Sequence, residues 1–109
     1  MTTSLAATLE ANARVLATYR GRLRGARFSK SMDGGSAASR RAEAQAAAIV
    51  AALEEQRGAM IGEAIRLGDS DALRKVDRRE LAAHATSERA RETIGTAGAL
   101  GSIRRLRGA

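Results

Sequence analysis

From Leu5 to Leu23 the inward positions are Leu5, Leu9, Asn12, Leu16, Tyr19 and Leu23, separated alternately by four and three residues. That spacing is a heptad seam on an α-helix, and it constrains the chain more than any other feature. An apolar stripe of this kind is driven out of water. The chain must therefore meet it with a second helix, its own or another molecule's. The seam covers fewer than three heptads, which is short for a free-standing zipper. Its first expected partner is the next helix of the same chain, through Ile49, Leu53 and Met60. Asn12, the polar member, is expected at the rim of the interface and in contact with water. The alternative is a buried amide that sets register.

Composition supports helices and limits the core. Ala, Glu, Lys, Leu and Arg fill 62 of 109 positions, and there is no Pro to break a helix. Leu, Ile, Val and Phe number only 19, while Ala numbers 25 and buries little area per residue. The expectation is a thin core that is stabilised by self-association or by a partner.

Taken in order, the chain reads as three helices. Ser4 is a suitable N-cap for the first, which should run over about 4–27 and weaken at Gly21 and Gly25. The region from Phe28 to Ser36, with Asp33-Gly34-Gly35-Ser36, reads as a turn. It lacks the lysine and spacing of a phosphate-cradling loop. The second helix should span about 37–67, with Ala42, Ala46, Ile49, Leu53, Met60 and Leu67 inward and Val50, Ile61 and Ile65 widening the stripe. Gln56 interrupts that stripe. Gly58 and Gly62, four apart, suggest a close helix approach. The two helices should form an antiparallel hairpin. Gly68-Asp69-Ser70-Asp71 breaks the second helix, and a short helical turn follows over 71–76. Asp77 and Glu80 fit a capping box, with Val76 and Leu81 placed as a hydrophobic staple. The third helix then covers about 78–94 and should stop at Gly95. Residues 1–94 form one helical domain in this reading.

Residues 95–109 read as a Gly/Arg tail. From Thr93 to Ile103 no residue is charged, and Gly95, Gly98 and Gly101 recur every third position. A flexible tail is the first reading. A short helix packed on a neighbouring subunit is the second, and an interfacial anchor the third.

The net charge is +7, carried by 17 Arg and 2 Lys. Codon preference in a GC-rich genome would produce the same excess. The functional reading is an acidic or phosphate-bearing partner met by Arg20, Arg22, Arg24, Arg27, Lys30, Arg104, Arg105 and Arg107. In the structural reading, the cations late in the first helix suit its macrodipole.

The residues of catalysis are scarce. There is no Cys, and His84 is the sole His, so neither a triad nor a Cys/His metal site can be assembled. Glu54 and Glu55 lie eight or nine residues from Glu63, too far for a paired-carboxylate site. Glu80 and His84 are four apart rather than the three of di-iron bundles. Asp69 and Asp71 are better read as caps than as cation ligands. No catalytic, cofactor or metal residue is therefore expected.

No apolar run approaches the roughly 18 residues of a membrane span. Surface contact with a membrane by 93–107 is a minor reading. No secretory signal is visible at the N-terminus, and a cytoplasmic or virion setting is expected. In composition, segments 25–44 and 89–103 look like the small Ala-rich internal and connector proteins of phage particles, without a diagnostic motif. The expected fold is all-α, a hairpin with a third helix, oligomeric or partner-bound. The expected function is a non-catalytic structural or assembly protein, such as a phage virion internal, neck or connector component near nucleic acid. The alternative is a small basic DNA- or RNA-binding accessory protein.

Overall fold

The structure, a computed structural model, describes the backbone of residues 3–107 and the side chains of residues 3–93. Every regular element in it is helical: α1 Leu5–Met32, α2 Ala37–Leu67, α3 Ser70–Leu73 and α4 Arg78–Arg107. The chain divides into two compact units, Met1–Val76 and Asp77–Ala109.

In the first unit α1 and α2 pack antiparallel along their length, and α3 packs against both. Ser4 caps α1, its hydroxyl accepting from the Ala7 N–H at 3.1 Å. The helix runs to Met32, beyond the expected end near Arg27. Gly21 and Gly25 lower its propensity by only about 1 kcal/mol each. Leu23 is buried beyond the first of them, and Lys30 pairs with Glu43 of α2 at 2.9 Å, so tertiary contacts carry the helix through the weak stretch.

The turn that follows is shorter than the expected 28–36. It is made by Gly34 and Gly35, both at positive φ (72° and 82°), a region costly for any residue with a Cβ. The Asp33 carboxylate accepts from the N–H groups of Gly35 (3.0 Å) and Ser36 (3.1 Å) and from the hydroxyls of Ser36 and Ser39. Those hydrogen bonds to the charged form, the Ser39 hydroxyl foremost, lower its pKa to about 2.

At its far end α2 closes on Gly68 at φ 62°, with the Asp69 N–H donating to Ala64 O at 2.9 Å in a Schellman arrangement. Asp69 then caps α3 through Ala72 N–H at 3.1 Å.

The buried apolar residues fall into two groups. Leu16, Leu23, Ala46 and Val50 form one cluster, with Tyr19, Ala47 and Leu53 packed against it. Leu9, Ile61, Ala64, Ala72 and Val76 are buried nearer the α3 end. Full burial of a leucine such as Leu9 or Leu16 contributes about 1.5–3 kcal/mol, whereas the three alanines add little, so the core is thin.

The stripe of α2 that faces α1 is rotated from the expected one. Ser39, Ala46, Val50, Arg57, Ile61 and Ala64 are its buried residues; Ile49, Leu53 and Met60 are only partly covered, and Leu67 is 59% exposed. Nor is Gly58 a point of close helix approach, because a Cβ built there meets nothing within 4 Å.

In the second unit, Asp77 starts α4, its carboxylate accepting from the Glu80 N–H at 2.8 Å, as the expected cap requires. The helix passes Gly95, where its end was expected, and runs to Arg107. The side chains of residues 95–109, and with them the tail reading, lie outside the described residues. No described helix is long and apolar enough to cross a membrane.

Candidate partner-binding surface

The seam residues are used inside the hairpin. Leu9, Leu16 and Leu23 are buried, Leu5 and Tyr19 partly so, and the three alternate with Asn12 along α1. Ile49 and Leu53 line the α2 side only in part, and Met60 is likewise half-buried. Little of the Leu5–Leu23 stripe is left for another molecule.

Asn12 is the main correction. It is 6% exposed, not wet at a rim. Its Nδ2 donates to Leu53 O at 3.2 Å and to Gln56 Oε1 at 3.4 Å. Its Oδ1 accepts from Arg57 Nη1 at 3.2 Å, and the same Nη1 donates to Leu9 O at 3.0 Å. The other Arg57 nitrogen, Nη2, donates to Lys75 O at 3.4 Å and so ties the segment after α3 to the hairpin.

The amide and the guanidinium form a polar layer between the two apolar groups. No described buried side-chain nitrogen or oxygen lacks a hydrogen bond. Desolvating these groups is costly unless they are paired, and here they are. Sequence reading missed Arg57 because charge placed it outside the core. The signal was there: Ala46, Val50, Leu53, Arg57, Ile61 and Ala64 follow one another by threes and fours if the arginine is admitted, and a polar residue faces it from α1.

The basic residues of α1 divide by what they touch. Arg20 reaches Glu54 at 3.3 Å, while Arg27 and Lys30 both reach Glu43, at 3.7 and 2.9 Å. Lys30, and less strongly Arg27, hold the Glu43 carboxyl below its ordinary range. These three cations bind α2 to α1, at about 0–1 kcal/mol per exposed pair. Arg22 instead lies over the Tyr19 ring, 4.8 Å from its centroid. Among the described residues of the hairpin, Arg22, Arg24, Arg40 and Arg41 have no carboxylate within ion-pair distance. All are exposed, and all lie toward the turn end of the hairpin. Arg104, Arg105 and Arg107 lie on α4, and their side chains are outside the described residues.

Two exposed apolar side chains, Phe28 and Met32, stand one helical turn apart at that same end. At the opposite end Ile65 and Leu67 are exposed in the last turn of α2. Along α4, none of the side chains from 78 to 93 is buried; Glu80, Leu81 and His84 are half-covered. Among the described residues no group of three His, Asp or Glu side chains is placed to hold a metal ion.

No protein-family model, curated protein or solved structure matches this chain.

Proposed function

We propose that the chain is a non-catalytic structural subunit of a larger assembly, in which the hairpin folds by itself and α4 docks on a partner. The observation that carries this reading is the state of α4: a helix of 30 residues with no buried side chain through residue 93. Helices in proteins owe most of their stability to packing of an apolar face, and a partner helix or groove would supply it. A setting inside a phage particle, as an internal, neck or connector component near nucleic acid, is supported by the Ala-, Gly- and Arg-rich composition.

Amide hydrogen exchange tests the role of α4. In the purified chain, protection is expected over α1 and α2 and little of it over 78–93. In material isolated with its native partners, 78–93 should become protected. An α4 that is as protected as the hairpin in the isolated chain would remove the need for a partner and overturn the reading.

A second reading, contact with DNA or RNA phosphates, is supported by the four arginines of the hairpin without a carboxylate. Titration with duplex DNA across a salt series checks it. Four phosphate contacts imply a slope of about −4 in log affinity against log salt. Binding that ignores salt would sink it.

A further inference from the structure

Phe28 and Met32 are the most exposed large apolar side chains among the described residues, at 65% and 72%. Contact with nucleic-acid phosphates would leave both unused. With Arg24 they follow one another at four-residue spacing, so the three share one side of α1 over about 12 Å.

Residues 20–43 hold seven cations against Asp33 and Glu43, a net +5. Both carboxylates are engaged within the hairpin, Asp33 by Gly35, Ser36 and Ser39, and Glu43 by Arg27 and Lys30. Arg40 and Arg41 stand in the opening residues of α2, across the turn. The rest of the hairpin unit outside 20–43, taken together, is net −1. One end of the hairpin therefore carries two bulky apolar side chains inside a field of cations.

That pairing fits a layer of negative charge laid over hydrocarbon. Long arginine side chains reach the charge while the apolar side chains go deeper. A nucleic-acid duplex offers the charge without an apolar layer beneath it. We propose that the turn end of the hairpin docks on an anionic lipid surface, Phe28 and Met32 entering the headgroup region while Arg24, Arg40 and Arg41 meet lipid phosphates. The inference goes beyond the assembly reading, because it uses the hairpin and leaves α4 to its protein partner. Two apolar anchors make a shallow, reversible contact. Attraction to the anionic leaflet adds to it and fades within a Debye length, about 10 Å at moderate salt.

Co-flotation of the full chain with vesicles tests this. Mixed phosphatidylcholine–phosphatidylglycerol vesicles should carry the chain, pure phosphatidylcholine vesicles should not, and added salt should weaken the binding. The chain has no Trp, so Phe28→Trp gives a single reporter at the contact. Its emission should shift to the blue on the mixed vesicles only. The double variant F28S/M32S alters only exposed side chains, and helix content by circular dichroism should not change. Its affinity for mixed vesicles should fall by about tenfold or more, and R40Q/R41Q should cost a similar factor.

Three results would overturn the proposal. They are no flotation with mixed vesicles at low salt, a bound chain whose F28W emission does not shift, or an F28S/M32S variant that binds as the wild type does. The second would put the contact elsewhere on the chain, and the third would leave charge alone as the cause. The F28W reading keeps an apolar side chain in place and stands if the serine variant misfolds. Binding to duplex DNA without binding to vesicles would end this proposal and give the arginines to nucleic acid.

Discussion

The hairpin and α4 are made from nearly the same material. Both are long Ala- and Arg-rich helices without proline, 28 and 31 residues in α1 and α2 and 30 in α4. Yet α1 and α2 bury side chains along their length, and the described part of α4 buries none. Helix propensity does not separate them. What separates them is a seam: α1 places Leu9, Leu16 and Leu23 on one line, whereas α4 from 78 to 93 offers Leu81 followed by alanines and polar residues.

The comparison can be broken from the hairpin side. Leu16→Ala should lower stability by about 2–4 kcal/mol, as for other buried leucines, while Leu81→Ala should lower it by well under 1 kcal/mol. Denaturant unfolding followed by circular dichroism reads both. Equal losses would mean that α4 is part of the same cooperative core.

The polar layer comes next in size. Asn12→Ala should cost about 1–3 kcal/mol, because it removes one of the two acceptors of Arg57 Nη1 and the side-chain donor to Leu53 O. Replacing Asn12 and Arg57 together by Leu and Met should cost less than the two single changes summed, since neither polar side chain is then left buried without the other. A strictly additive double variant would show that the two side chains act independently.

Gly58→Ala tests the opposite sign. With open space around the added Cβ, helix propensity should raise stability by up to about 1 kcal/mol. A loss would restore the close approach that the Gly58/Gly62 spacing suggested.

The smallest effect belongs to the turn. The Asp33 carboxylate is held at about 2 against an ordinary 3.8. Its hydrogen bonds to Gly35, Ser36 and Ser39 therefore contribute fully above about pH 4 and are lost as pH falls toward 2. Melting temperature followed across that window should fall more for the wild type than for Asp33→Asn. Parallel curves would contradict the shift.

Much of the hairpin was legible in the sequence, and the reasons are local. Leucines at four-three spacing, Ser4 as a cap and Gly68 as a stop each act through contacts within a few residues. The phase of α2 was harder. Its stripe is so rich in alanine that neighbouring rotations look alike, and the largest apolar residues, Ile49 and Met60, drew the reading one position away from Val50 and Ile61. Arg57 and Asn12 completed the confusion: each is polar, and only the pairing of the two makes either a core residue. The cations of α1 were visible as a group, but which of them α2 would neutralise depended on the register of the hairpin.

Gly34 and Gly35 carry one more consequence. Their left-handed backbone is what folds α1 and α2 back on each other within one molecule. Helix ends at Met32 and resumes at Ala37, so a turn whose four residues became helical would leave a single continuous rod. Two such rods from different molecules could then exchange halves and rebuild every hairpin contact between chains, the Asn12–Arg57 pair included. Replacing both glycines by alanine removes the conformational licence for the turn. The expected product is a swapped dimer with native helix content, seen as a doubled mass that persists on dilution. A monomer would mean that the Asp33 hydrogen bonds close the turn without glycine.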